Sequence, residues 1–220
     1  MTRQDVLRKI AEVGLVPVVR AQSADEAMKV VDAIREGGVP VLEITMTVPG
    51  AIGVMELLAR RFGADVVLGA GTVLDAETAR ACILAGARFV VSPALNLGTI
   101  EMCRRYSVAV IPGALTPTEV VAAWSAGADV VKIFPCGAVG GASYIKSLKA
   151  PLPQVEMIPT GGVSVKTAAD FIRAGSMALG VGADLVDTAA IREGNARIVT
   201  EKAREYVRLV QEARLPASGI

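Results

Sequence analysis

Short runs rich in Val, Ile and Leu alternate along the chain with longer segments whose apolar residues recur three and four positions apart. The short runs read as strands and the longer ones as helices packed on a sheet, because side chains alternate faces in a strand and share a face at that spacing in a helix. Eight strands are expected, at residues 15–20, 41–45, 66–71, 89–93, 108–112, 130–135, 157–161 and 177–182. Helical segments such as 24–36, 76–85 and 117–126 lie between them, with an extra helix at 3–13 before the first strand and a long one at 195–214 after the last. Glycine recurs where a helix should hand over to a strand, at Gly37, Gly86, Gly127 and Gly175. At that position glycine accepts the left-handed geometry that ends a helix. Each interval between these glycines holds one further strand and helix, so the landmarks count out eight βα units. Strands that are apolar throughout, rather than alternating, fit a parallel sheet covered by helices. A (β/α)8 TIM barrel with an extra N-terminal helix is the simplest closure, and an open doubly wound sheet is the alternative. No Pro/Ser-rich linker divides the chain, so residues 1–220 are expected to form one domain.

Composition narrows the chemistry. With 23 Lys+Arg against 22 Asp+Glu and no basic block, there is no field to steer onto nucleic acid, and a small molecule is the expected partner. The chain has no histidine. That removes the usual base at neutral pH, every Ser–His or Cys–His pair and the commonest metal ligand, leaving carboxylates, lysine, cysteine and backbone groups. Cys82, Cys103 and Cys136 are odd in number and widely spaced, which reads as reduced thiols in a cytoplasmic protein. No apolar run reaches the roughly 18–20 residues of a membrane span, and the start lacks a signal peptide's apolar stretch.

Two charges break the apolar strands. In Val130-Val131-Lys132-Ile133-Phe134-Pro135, Val131 and Ile133 share one face, so Lys132 and Phe134 are directed into the barrel. In Val41-Leu42-Glu43-Ile44-Thr45 the same alternation sends Glu43 and Thr45 inward. One reading is a buried Lys132–Glu43 ion pair in an inert core, although such pairs are expensive to maintain. The other is chemistry: desolvation favours a neutral amine, which can attack a ketone to form an imine while a nearby carboxylate moves protons. Pro159-Thr160-Gly161-Gly162-Val163 and Gly180-Val181-Gly182-Ala183-Asp184 end the seventh and eighth strands, where barrels commonly hold phosphate on backbone N–H groups. Gly69-Ala70-Gly71-Thr72-Val73-Leu74 lacks the third glycine of a dinucleotide site. Lys146 and Lys149 read as solvated, and Trp124 and Phe171 as packing residues. A phosphosugar isomerase or synthase, or a binding barrel without activity, would use the same phosphate loops but need no imine.

Taken together, Val41-Leu42-Glu43-Ile44-Thr45, Gly69-Ala70-Gly71-Thr72-Val73, Val91-Ser92-Pro93, Ile111-Pro112-Gly113, Val131-Lys132-Ile133-Phe134-Pro135 and Pro159-Thr160-Gly161-Gly162-Val163 resemble, in order, the class I 2-keto-3-deoxy-6-phosphogluconate (KDPG) aldolases. The resemblance implies a (β/α)8 barrel, a homotrimer, no metal and no cofactor, and cleavage of a phosphorylated keto-acid to pyruvate and glyceraldehyde 3-phosphate. It extends to relatives acting on the galactonate epimer or on 4-hydroxy-2-oxoglutarate (KHG). It implies that Lys132 is the Schiff-base lysine and Glu43 the acid/base. Thr72, with the backbone near Pro93, is implied for the pyruvate carboxylate, and Phe134 for the substrate site. Gly161, Gly162, Gly182 and Ala183 are implied for the phosphate, and Thr160 for the C4 side of a gluconate-type substrate. Two positions depart from the family: Thr47 stands where some members carry a carboxylate-binding arginine, for which Arg20 is the expected substitute, and Ala183 replaces a common serine.

Overall fold

All the expected strands form, and they close through one interruption. In the computed structural model, which describes residues 1–215, β1 (Leu15–Val19), β2 (Val41–Thr45), β3 (Val67–Gly71), β4 (Phe89–Val91) and β5 (Ala109–Ile111) lie in one parallel sheet with β9 (Leu179–Val181). The order is β5-β4-β3-β2-β1-β9, while β6 (Gly113–Ala114), β7 (Val131–Ile133) and β8 (Met157–Pro159) form a second sheet ordered β6-β7-β8. The last five positions of the expected 1–220 domain lie outside the described residues.

The expected fifth strand is split because Pro112 has no N–H to donate. Its carbonyl accepts the Lys132 N–H at 2.9 Å, so pairing passes there from β4 to β7. On the opposite side, a bridge between Thr160 and Gly180 joins the end of β8 to β9 and completes the ring. Sequential helices α1 (Arg3–Val13), α2 (Ala24–Glu36), α3 (Ala51–Phe62), α4 (Ala76–Leu84), α5 (Leu97–Arg105), α6 (Pro117–Ser125), α7 (Ala142–Lys149), α8 (Ala168–Arg173), α9 (Thr188–Arg192) and α10 (Arg197–Arg214) complete the chain. Side chains start several of them: Thr2 and Thr116 make reciprocal capping boxes with Asp5 and Glu119, and Ser23, Asp75 and Asn96 accept from the third residue on.

Alternation along the strands sorts the apolar residues into two cores. Leu42, Ile44, Val131 and Ile133 pack outward among the helices. Val16, Val41, Val67, Phe89, Ile111, Val130 and Ile158 fill the barrel itself. Helix α1 adds Val6 and Ile10 to that inner core and plugs the amino-terminal end. Only the carboxyl ends of the strands remain open, and that end carries the site.

Three details differ from the sequence reading. Lys149 is not solvated, since its Nζ donates to Val155 O at 2.9 Å and to Pro153 O at 3.3 Å. Trp124 is 44% exposed, whereas Phe171 is buried as expected. Gly86, Gly127 and Gly175 take the left-handed conformation, but Gly37 is right-handed at φ −70° and Gly38 takes the left-handed turn at φ +87°. Gly37 is needed for another reason: a Cβ there would lie 2.5 Å from Ala203 Cβ and 2.8 Å from Thr200 O, where α10 crosses the end of α2.

Gly37→Ala should therefore cost about 1–3 kcal/mol by overpacking, since the obstacle is backbone and a methyl that cannot swing away. Gly38→Ala, with open space at its Cβ, should cost only the left-handed strain of about 1 kcal/mol. Urea unfolding of the two variants checks the order; a larger loss for Gly38→Ala would show that close packing on α10 is not what Gly37 serves.

Candidate active site

Glu43 and Lys132 approach one another across the barrel from β2 and β7. Both are almost wholly buried, at 2% and 4% exposure. They share a cavity of about 10 Å³ lined also by Val16, Val91, Ile111, Ile158, Thr160 and Gly180. Space on that scale is about what one water occupies. The contact ion pair considered from the sequence is absent: no Lys132–Glu43 separation falls within 4.0 Å, and Glu43 Oε1 is buried without a hydrogen-bond partner. Lys132 Nζ instead lies 5.1 Å above the centre of the Phe134 ring, which faces the same side of the strand.

Burial decides the protonation of both groups. Desolvation lowers the Lys132 pKa; Glu43 opposes that shift and Arg20 reinforces it. Desolvation likewise raises the Glu43 pKa against the pull of Lys132 and Arg20. Each group is thus pushed toward its neutral form, which favours a nucleophilic amine next to an acid able to give and take a proton.

Above this cavity lies a larger pocket of about 260 Å³, bounded by Arg20, Phe134 and two glycine turns. Thr160 and Gly180 line both spaces. Arg20 is exposed and sits in the outer pocket beside the glycine turns rather than in the cavity with Lys132. Gly161 and Gly162 have φ of +83° and +79°, which glycine adopts freely, and Gly162 packs so closely on Gly137 that a Cβ would come within 2.7 Å of its Cα. Among the described residues, the N–H groups of Gly162, Val163, Ala183 and Asp184 donate to no backbone or side-chain acceptor. Free backbone donors in two turns that line one pocket suit an anion.

The structure therefore gathers Lys132, Glu43, Thr160, Phe134, Arg20, Gly161, Gly162, Gly182 and Ala183 around two connected spaces. Thr47, Thr72 and Pro93 line neither. They follow β2, β3 and β4 on a neighbouring arc of the rim. Thr47 is exposed, and its hydroxyl lies 2.7 Å from that of Thr45, which donates to Val19 O. Thr72 has φ +58°, a conformation that a β-branched residue adopts only under strain and that is concentrated at working sites.

Sequence reasoning missed two glycines that shape the cavity. A Cβ on Gly71 would lie 2.4 Å from Glu43 Oε1, and a Cβ on Gly180 would lie 2.1 Å from Thr160 Oγ1. Gly71 was legible as a motif residue, but its contact with a carboxylate on the neighbouring strand β2 was not. Asp184 was quoted in its motif yet given no role; it lines the outer pocket. The three thiols are buried, and burial pushes Cys82 and Cys136 up to about 11 and Cys103 up to about 12, so they stay protonated. Among the described residues, no three His, Cys, Asp or Glu side chains gather as a ligand set for a metal, and no helix is long and apolar enough to cross a membrane.

Residues 6–202 match the aldolase family described as KDPG and KHG aldolase. A 2-dehydro-3-deoxy-phosphogluconate aldolase from Haemophilus influenzae is 30% identical over 96% of this chain and 99% of its own length. A 2-dehydro-3-deoxy-6-phosphogalactonate aldolase from Escherichia coli is 33% identical over 90% of this chain and 95% of its own. Among solved structures, the KDPG aldolase from Legionella pneumophila, with pyruvate captured as a covalent carbinolamine, superposes with a TM-score of 0.84 at 30% identity, covering 90% of this chain and 96% of the other.

Two buried ionisable groups that do not touch should weaken the fold. The unfolded chain protonates Lys132 more readily and Glu43 less readily than the native state, so each group disfavours the native state wherever its unfolded form is charged. Replacing both, by Glu43→Gln with Lys132→Met, should stabilise the protein by about 1–4 kcal/mol, or about 3–10 °C in melting temperature at neutral pH. Calorimetry checks this, and a lower melting temperature would mean that the two groups support the barrel.

Proposed function

Because the chain belongs to the KDPG and KHG aldolase family, we propose that it cleaves 2-keto-3-deoxy-6-phosphogluconate to pyruvate and glyceraldehyde 3-phosphate through an imine on Lys132. The observation that carries this reading is a buried lysine with a lowered pKa, sharing a cavity with a buried carboxyl and opening onto a glycine-lined pocket.

The Lys132 amine attacks the C2 carbonyl, and the resulting carbinolamine loses water to give a protonated imine. Glu43 then takes the proton of the C4 hydroxyl, directly or through one water, and the C3–C4 bond breaks with its electrons passing into the enamine. The aldehyde leaves. Glu43 returns the proton to C3, and water releases pyruvate and restores the amine. The covalent carbinolamine that names the Legionella structure supports the first bond. None of these steps calls on a metal, so activity should survive a chelator.

Arg20, which stands beside the glycine turns and not in the cavity with Lys132, serves the phosphate end rather than the keto-acid carboxylate expected of it, and that carboxylate is left to Thr72 and the backbone at Pro93. Gly161, Gly162, Gly182 and Ala183 receive the phosphate on N–H groups. Gluconate stereochemistry is supported by Thr160, a buried residue that lines both spaces, and its hydroxyl is assigned to the C4 side of a substrate bonded to Lys132. The reading includes a homotrimer, for which the exposed Leu57, Leu74, Leu84 and Leu97 offer apolar surface.

Borohydride reduction with pyruvate should attach a three-carbon adduct to the peptide containing Lys132, and Lys132→Arg should lose both the adduct and at least about 10³-fold in turnover. No adduct on that peptide would end the imine reading; retained turnover in Lys132→Arg would point to an isomerase using charge alone. Assayed against both phosphorylated epimers and hydroxy-oxoglutarate, the enzyme should favour the gluconate form. Thr160→Val should shrink that preference about 10–100-fold, because a site that bonds a hydroxyl discriminates through it. A preference for the galactonate epimer, or one indifferent to Thr160→Val, would reject the assignment of substrate.

A further inference from the structure

We propose that Tyr206, on the outer helix α10, is a positioning residue for the phosphate end of the substrate, acting through Asp184. The proposal rests on the reading of the glycine turns as a phosphate cradle.

Asp184 is the one carboxylate among the residues lining the outer pocket, two residues beyond Gly182. An unpartnered carboxylate there would repel a phosphate. It has partners. The Tyr206 hydroxyl donates to Asp184 Oδ2 at 2.6 Å, and Lys202 Nζ lies 3.9 Å from the same oxygen. Tyr206 is wholly buried in the outer core, so its hydroxyl needs an acceptor inside the protein. Burial, together with Asp184, raises its pKa far above that of an ordinary phenol, and it remains a donor at any working pH.

The bond fixes a turn as well as a charge. The Gly182 carbonyl accepts from the N–H groups of Leu185 and Val186 at 3.0 and 2.9 Å, so residues 182–186 fold back tightly with Asp184 at the bend. Holding the Asp184 side chain from α10 sets where the Ala183 and Asp184 N–H groups lie. Because Ala183 has no hydroxyl, this turn itself offers only backbone donors, and their position cannot be corrected by a rotating side chain of its own. Tyr206 thus does two things for the pocket: it aims the donors and turns the carboxylate's charge toward α10.

The test compares the unsubstituted enzyme with Tyr206→Phe, which keeps the packing ring and removes only the donor. KM for the phosphorylated keto-acid and the inhibition constant of inorganic phosphate should both rise about tenfold, the size expected for losing one hydrogen bond to a charged group. kcat and the pyruvate concentration that half-saturates borohydride trapping should stay within twofold. Asp184→Ala should reproduce Tyr206→Phe, the double variant should be no worse than either, and Asp184→Asn, which retains an acceptor, should recover most of the phosphate affinity. Phosphate constants within twofold of the unsubstituted enzyme in both Tyr206→Phe and Asp184→Ala would overturn the proposal, as would equal losses in phosphate and pyruvate binding, which mark general loosening. If phosphate does not inhibit the unsubstituted enzyme, the cradle itself is wrong and this role falls with it. Trapping of pyruvate on Lys132 is then still measured and judges the aldolase reading separately.

Discussion

An amine and a carboxyl held in an apolar barrel without touching each other set the terms for everything else in this molecule. Left in water, Lys132 would be an ammonium, which is no nucleophile, and Glu43 a weakly basic carboxylate, so the proposed reaction depends on what burial does to both. Taking them out of water shifts the amine toward its neutral form and makes the carboxylate a stronger base, because the cost of burying a charge exceeds the attraction available at a separation beyond 4.0 Å. A closer pair would have been a worse arrangement for chemistry, since contact would stabilise the two charged forms. The rest of the fold keeps those groups apart, dry and reachable from one side.

The separation is built from absent side chains. Gly71 makes room for the Glu43 carboxyl, Gly180 for the Thr160 hydroxyl, and Gly69 for the Phe89 ring that fills the barrel below. At each of these positions a methyl group would come within 2.4 Å of its neighbour. With α1 closing the other end through Val6 and Ile10, solvent and substrate share one entrance. The barrel is therefore packed like a core for most of its depth and opens only in its last layer, where the strand ends deliver Lys132, Glu43 and Thr160.

Much of this was legible in the sequence, because the signals were of kinds that strand geometry makes unambiguous. Lys132 between Val131 and Ile133, and Glu43 between Leu42 and Ile44, could face only inward once those neighbours were assigned to the helix layer, and the two cores divide along that line. The split at Pro112 was harder to see, since a proline can sit at either end of a strand without breaking it. Gly37 was read as a turn glycine because its neighbour Gly38 takes the turn, while its own constraint comes from Ala203 and Thr200, far along the chain. Thr47, Thr72 and Pro93 came from the family resemblance rather than from any pattern, and a side chain on a rim arc carries no periodicity that would locate it. The Tyr206–Asp184 bond was invisible for a like reason: nothing within the helix distinguishes a tyrosine that packs from one that also donates to a residue twenty-two positions earlier.

In the proposed reaction the two adjoining spaces, which share Thr160 and Gly180, would divide the work. Bond making would belong to the inner cavity, whose free space beside Lys132 is about that of one water and leaves room for the reacting atoms alone. Recognition of the far end would belong to the outer pocket, which is larger and lined by two glycine turns with one guanidinium, Arg20. Because Arg20 also bears on the ionisation of both Lys132 and Glu43, the two spaces are not electrically independent. An anion bound near Arg20 would offset its charge, easing protonation of both inner groups. In the proposed reaction, filling the outer pocket would thus bear on the ionisation of the two groups beneath it.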